Sequence, residues 1–209
     1  MSILITGISG FVGGYLKQYL CDFDIEGVDL RCSNWKSKFN KNIKVVIHLA
    51  GKAHDLKNTT TIDDYYHVNT ELTKKVFNTF LASEAKVFIT LSSVKAVADE
   101  IEGTLLESHI PHPITHYGKS KLLAEEYILS KEILPGRRVY ILRPCMIHGP
   151  GNKGNLNLLY NLVSKGNLWP LGAFQNKRSF CSIDNLLYIF KELIERDDIP
   201  SGVYNVADD

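Results

Sequence analysis

The chain has 209 residues, is 44% hydrophobic and carries a formal net charge of +1, which allows one sizeable core and a small second lobe. With no long run of either sign, it gives no reason to expect nucleic acid or an anionic membrane as a partner. Cys21, Cys32, Cys145 and Cys181 are scattered without metal-ligand spacing, and the N-terminal apolar run is broken by glycines with no basic region ahead of it; a cytoplasmic protein with reduced thiols, no metal, no signal peptide and no membrane span is expected.

The first element organises the rest. Residues 3–6 are an apolar run, Gly7, Gly10 and Gly13 follow at intervals of three, and Phe11, Val12, Tyr15, Leu16 and Leu20 continue at helical spacing. That pattern predicts a strand, a tight turn and a helix. A helix entered through glycines leaves bare backbone N–H groups at its N-terminus, where the peptide dipoles favour a phosphate. Gly7 permits the turn, Gly10 admits a pyrophosphate to the backbone, and Gly13 lets helix and strand pack closely. Residues 23–30 read as a second strand closed by Asp29, about 20 residues beyond the glycines, where a carboxylate can accept both hydroxyls of an adenosine ribose. Such a carboxylate repels a 2′-phosphate, which favours NAD over NADP. Arg31 lies close enough to soften that preference.

Residues 31–42 are polar, with Trp35 and Phe39 at helical spacing, and leave no room for the extra strand and helix often found there. One strand fewer is therefore expected on that side of the sheet. Residues 44–51, including His48, Leu49, Ala50 and Gly51, form a near-continuous apolar run suited to a strand covered on both faces. Between residues 64 and 83, Tyr65, Val68, Leu72, Val76, Phe77, Phe80 and Leu81 recur at threes and fours, which predicts one long amphipathic helix.

Residues 86–93 read as a strand ending in Ser92 and Ser93, at the carboxyl edge where open parallel sheets bind ligands. After a looser segment, Tyr117 opens a helix on which Lys121 lies four residues on, so the two share a face. The pairing has a chemical use. A tyrosine with an ordinary pKa of about 10 must drop by roughly 3 units to act as a base near neutrality, and an ammonium at about 4 Å supplies an effect of that order. Residues 138–144 form another strand, and a turn-rich stretch follows from His148 to Asn155. A helix over 156–165, a helix over 185–196 and a last strand over 202–207 complete the reading.

The order of these motifs resembles that of the extended short-chain dehydrogenase/reductases, and more narrowly the NAD-dependent epimerase/dehydratase family acting on nucleotide-diphosphate sugars. The matching residues are Gly7-x-x-Gly10-x-x-Gly13, Asp29, His48-Leu49-Ala50-Gly51, Asn69, Ser92-Ser93, Tyr117-x-x-x-Lys121, Arg143-Pro144 and Gly149-Pro150-Gly151. Ser92-Ser93-Val94-Lys95, residues 149–155 and Lys177-Arg178-Ser179 look most like the hexosamine 4-epimerases and 4-ketoreductases of surface-polysaccharide pathways.

The resemblance implies an α/β, Rossmann-like doubly wound parallel sheet. Residues 1–150, with 178–209 returning to them, would bind NAD, and 151–177 would be a partial substrate-binding lobe, either reduced or truncated, because relatives continue further. It implies Tyr117 as catalytic base, Lys121 on the nicotinamide ribose, and Ser93 on the reacting sugar hydroxyl. Arg178 would hold the substrate diphosphate and Asn155 would touch the substrate. Gly7, Gly10, Phe11, Val12, Gly13, Asp29, Leu49, Ala50, Gly51, Asn69, Tyr117, Lys121 and Pro144 would line the cofactor site. A homodimer paired through helices 64–83 and 117–131 is expected. The family's dehydratases carry an Asp-Glu pair where this chain has Val94 and Lys95, which disfavours elimination. A 4-epimerase, a 4-ketoreductase, and an NAD-binding module without a full substrate domain remain as alternatives.

Overall fold

Side chains along a strand alternate between faces, and here both faces are apolar. Ile3, Ile5, Val45 and Ile47 pack on one side of the sheet with Leu16, Leu186 and Phe190. Leu4, Val46 and Phe88 pack on the other with Val76, Phe77, Phe80 and Ile128. Only a sheet covered by helices on both faces buries such strands. The computed structural model describes residues 1–52, 61–152, 160, 163–165 and 177–208.

In chain order the strands are β1 (Ser2–Thr6), β2 (Asp24–Val28), β3 (Ile43–His48), β4 (Val87–Leu91), β5 (Arg138–Pro144), β6 (Met146–His148), β7 (Phe180–Ser182) and β8 (Gly202–Val206). The helices are α1 (Phe11–Tyr19), α2 (Ile62–Tyr65), α3 (Leu72–Ala82), α4 (His116–Leu129) and α5 (Ile183–Glu195). Six strands form one parallel sheet in the order β2-β1-β3-β4-β5-β8, and β6 pairs with β7 in a separate parallel ribbon. β2 is an edge strand, as the short connection after Asp29 requires. Helices α1 and α5 cover one face, α3 and α4 the other.

The long helix expected over 64–83 is interrupted. Between α2 and α3 the segment Tyr66–Glu71 is π-helical, a wider turn that occurs most often at functional sites. Asn69 and Thr70, consecutive within it, are both buried. The Thr70 hydroxyl donates to the Ser120 carbonyl at 2.7 Å and Asn69 Nδ2 donates to Ser120 Oγ at 3.0 Å. A regular α-turn sends adjacent residues about 100° apart.

The ribbon of β6 and β7 is not foreshadowed by any sequence pattern, and α5 begins two residues before its expected start because Ser182 caps it through the Asn185 amide. The helix expected over 156–165 and most of the expected lobe 151–177 lie outside the described residues. Among the described residues, no helix is long and apolar enough to cross a membrane.

Candidate active site

The glycine turn has the geometry its spacing implies. Gly7 has φ +72°, and a Cβ there would stand 2.6 Å from the Ala50 nitrogen, at the end of β3. A Cβ on Gly13 would stand 2.4 Å from the Gly7 carbonyl oxygen, so α1 packs on the turn at a distance that only glycine allows. Gly10 is the N-cap of α1 and supplies no side-chain acceptor, and no acidic residue occupies the first turn. The amides there are free of a carboxylate competitor, and an anion suits them. Phe11 and Val12, both half-buried, pack against the core below this turn. The Tyr15 hydroxyl donates to the Pro150 carbonyl at 2.8 Å. Gly149 packs so tightly that a Cβ would meet Ile183 at 2.6 Å and Phe11 at 3.3 Å, which explains a Gly-Pro-Gly turn so far along the chain.

At the exposed end of β2, Asp29 is gripped by its neighbour. Arg31 Nε donates to both carboxylate oxygens at 2.9 and 3.1 Å, Nη2 donates at 2.7 Å, and the Arg31 amide adds a bond of 3.0 Å. The guanidinium hydrogen bonds hold the Asp29 carboxyl down at about 2.

His48, at the end of β3, is a second centre that sequence reasoning included only as part of a motif. Thr73 donates its hydroxyl proton to the Asn69 carbonyl at 2.7 Å, so toward His48 Nε2, 2.9 Å away, it accepts. Nε2 therefore carries the imidazole proton, and Nδ1 accepts from the Thr6 hydroxyl at 2.7 Å. The Ala50 amide in turn donates to Thr6 Oγ1 at 3.4 Å. One directional chain runs from the cofactor turn to the π-helical segment. Burial is the first reason that His48 stays neutral, with its pKa pushed down to about 3; the Lys121 charge adds to it.

Asn69, expected on the cofactor, spends its amide on protein groups. Oδ1 accepts from the Lys52 amide at 2.8 Å, and Nδ2 donates to the Lys52 carbonyl at 3.1 Å as well as to Ser120. It fixes the loop after β3, so that Gly51 faces Lys121: a Cβ on Gly51 would stand 3.2 Å from both Asn69 Oδ1 and Lys121 Nζ. Leu49 and Ala50 lie on the same half-buried rim.

At the end of β4, Ser93 caps the short 3-10 turn Val94–Ala96, its Oγ accepting from the Lys95 amide at 3.2 Å. The same hydroxyl faces the Tyr117 phenol closely enough to favour its ionised form. Tyr117 reaches it because α4 starts hard against that turn: a Cβ on Gly118 would stand 2.3 Å from the Lys95 carbonyl oxygen. Thr115 caps α4 through the Gly118 amide, and Asp99 accepts from the Ile114 and Thr115 amides to shape the approach. Ser93, Tyr117 and Lys121 thus converge at the carboxyl edge of the sheet, as their spacing implies.

One electrostatic expectation is reversed. Lys121 Nζ donates to the Leu91 carbonyl at 2.9 Å, and burial raises the Tyr117 pKa above 10.0 while the Ser93 hydroxyl opposes it. Desolvation dominates over any help from the lysine. The Lys121 ammonium is itself weakened by desolvation to about 8, with the Glu125 charge pulling the other way.

Glu125 continues the Tyr117–Lys121 face by one more turn. Both it and Arg143, on β5, are buried, and their pairing is bidentate: Nε lies 3.1 and 3.0 Å from the two carboxylate oxygens, and Nη2 lies 2.5 Å from Oε2. Pro144, buried at the end of β5, follows directly. Ser92 Oγ is buried without a protein partner. With Asn69, Thr73, Thr90, Lys121 and Glu125 it lines a cavity of about 10 Å³, the size of one water molecule. Arg178 is exposed just ahead of β7, and Asn155 lies outside the described residues.

These features define a dinucleotide-binding α/β protein with a Ser-Tyr-Lys cluster. Residues 3–207 match the model of the NAD dependent epimerase/dehydratase family, and the chain belongs to that family. It is 33% identical to a UDP-glucose 4-epimerase from Vibrio cholerae, with 99% of this chain aligned to 70% of that one. It is 28% identical to an N-acetyl-alpha-D-glucosaminyl-diphospho-ditrans,octacis-undecaprenol 4-epimerase from Escherichia coli O157:H7, over 99% of this chain and 67% of the relative. Among solved structures, MoeE5 in complex with UDP-glucose and NAD superposes with a TM-score of 0.84 at 22% identity, covering 99% of this chain and 76% of that one. A UDP-glucuronic acid 4-epimerase from Bacillus cereus in complex with NAD gives 0.82 at 23% identity, over 99% and 77%. These likenesses show the fold. The family is NAD dependent, and the glycine turn, the uncapped α1 terminus and the Asp29 carboxylate fit that cofactor.

Proposed function

We propose that the protein is a nucleotide-sugar 4-epimerase, of the UDP-glucose or UDP-N-acetylglucosamine type, working through a transient 4-keto sugar. The observation that carries this reading is the convergence of Ser93, at the end of β4, with Tyr117 and Lys121 one turn apart on α4, Lys121 being anchored on the Leu91 carbonyl, at the strand edge where the open amides of α1 would hold a pyrophosphate. NAD bound there supplies a hydride acceptor that is regenerated within each cycle. Gly7, Gly10, Phe11, Val12, Gly13, Asp29, Leu49, Ala50, Gly51, Tyr117, Lys121 and Pro144 would hold it, with Asn69 shaping the site from behind.

In this reading Ser93 hydrogen-bonds the sugar 4-hydroxyl, and Tyr117 takes the proton of that hydroxyl and later returns one. Lys121 keeps a positive charge beside the reaction and loses it above about pH 8. Arg178 grips the diphosphate with a planar fork, and residues 151–177, including Asn155, form part of the sugar pocket. Residues 1–150 and 178–209 form the cofactor body. We place the protein in the cytoplasm, in surface-polysaccharide sugar synthesis, as a homodimer paired through α3 and α4; Leu123 and Leu129 on α4 face solvent. Sedimentation as a monomer would overturn the dimer.

The raised Tyr117 pKa favours a second reading. A phenol that holds its proton is suited to donate it, as reduction of a 4-keto sugar requires. Proton NMR of UDP-N-acetylglucosamine or UDP-glucose incubated with protein and NAD separates the two. Formation of the galacto epimer without net NADH supports the epimerase. Turnover only of a 4-keto sugar with NADH supports the reductase. In either case Tyr117→Phe is expected to lower kcat by about 10²–10⁴-fold while leaving NAD binding in place.

A further inference from the structure

We propose that Arg31 lets the adenosine end of the site accept a 2′-phosphate, so that this chain binds NADP as well as NAD; the inference rests on the dinucleotide reading above. In a site built only for NAD, the carboxylate closing β2 keeps its oxygens for the ribose hydroxyls and repels a phosphate. Here that carboxylate is not left alone. Arg31 Nε and Nη2 occupy both oxygens of Asp29 at 2.7–3.1 Å, and the Arg31 amide adds a third bond at 3.0 Å. The acceptor positions that two ribose hydroxyls need are the ones the guanidinium already holds.

The pair is also free to exchange. The Arg31 side chain is 89% exposed and that of Asp29 is 45% exposed, so water and salt screen their attraction and other partners compete for both groups. A ribose 2′-hydroxyl would draw Asp29 and release the guanidinium. A 2′-phosphate would draw the guanidinium, whose fork matches phosphate oxygens in the same bidentate way, and the arginine would stand between phosphate and carboxylate.

The surroundings favour the anion. From residue 29 to residue 44 the only acid is Asp29, against Arg31, Lys36, Lys38, Lys41 and Lys44. Lys38 is spent on Glu26 at 2.9 Å, and Lys36 lies over the Trp35 ring at 5.9 Å. Because β2 is the edge of the sheet, among the described residues no further strand walls off this rim, and a bulky phosphate would meet solvent there.

The test is calorimetric titration of NAD, NADP and 2′,5′-ADP into the wild-type chain and into Arg31→Ala and Arg31→Lys. NADP is expected to bind within about tenfold of NAD. Arg31→Ala should weaken NADP and 2′,5′-ADP by about tenfold or more, with NAD unchanged or tighter, and Arg31→Lys should recover part of the loss. NAD binding with NADP weaker by more than about tenfold, or Arg31→Ala weakening the two dinucleotides alike, overturns the inference and leaves the dinucleotide reading standing. Failure of both dinucleotides to bind the wild type overturns both. The Arg31 side chain is 89% exposed, so a folding defect is not expected to confound its variants.

Discussion

Two arginine–carboxylate forks in this molecule have nearly the same geometry and opposite consequences. Arg143 and Glu125 meet at 2.5–3.1 Å with side chains 5% and 2% exposed; Arg31 and Asp29 meet at 2.7–3.1 Å in the open. Removing one member of a buried pair strands the other in a medium that cannot hydrate it. An exposed pair dissolves into solvent with little loss. The contact distance therefore says little about what a pair does. The buried fork is fixed scaffolding behind Lys121, and the exposed one is a contact that a ligand can replace.

Variants sharpen that contrast. The largest effect is expected of Glu125→Ala, which leaves the Arg143 guanidinium buried and unpaired. Denaturant unfolding should show a loss of about 3–5 kcal/mol, and a loss below about 1 kcal/mol would mean that water reaches the pair. His48→Phe keeps the ring volume and cuts the chain from Thr6 to Thr73, with an expected cost of about 1–3 kcal/mol at pH 7.

The pH dependence of that cost has a definite sign. The folded His48 pKa, about 3, lies below its ordinary 6.5, so the unfolded chain takes up the proton first. Stability is then lost as pH falls from 6.5 toward 3, by about 1.4 kcal/mol per unit from this group. His48→Phe lacks that loss, so the gap between variant and wild type should narrow on acidification. A gap that stays constant from pH 7 to pH 5 would contradict the neutral, buried imidazole. Smallest of all, Asp29→Asn should leave the unfolding midpoint within experimental error, and a clear drop would show that the exposed fork is structural after all.

Much of the fold was legible because local pattern and tertiary need coincide. The strand expected at 138–144 becomes β5 over the same residues, and the short segment after Asp29 correctly removes a strand. Gly7, Gly13 and the Tyr117–Lys121 spacing found their places because steric contact and helical phase are written in single residues. Other features depend on distant partners. β6 and β7 are three residues each and exist only through each other. The π-helical turn answers to Ser120, on a different helix, and the proton direction through His48 follows from hydroxyls 42 and 25 residues away. Arg143 was visible in a motif, but its carboxylate partner was not. The sign of the Tyr117 shift was missed because spacing reports the nearby cation and not the loss of water.

The π-helical segment Tyr66–Glu71 acts as a phase shifter. An α-helix that advances by a regular step keeps one stripe inward along its whole length, whereas this wider turn resets the stripe partway. The reset lets α3 present Val76, Phe77 and Phe80 to the sheet while Asn69 and Thr70 both engage α4. Reading-frame logic applies to such a device: the wider turn absorbs one extra residue, so removing His67 would let a regular α-helix run from α2 into α3 with the flanking stripes kept in phase. That deletion would spare every residue assigned to the chemistry and still take away the wider turn that seats Asn69 against Lys52 and Ser120.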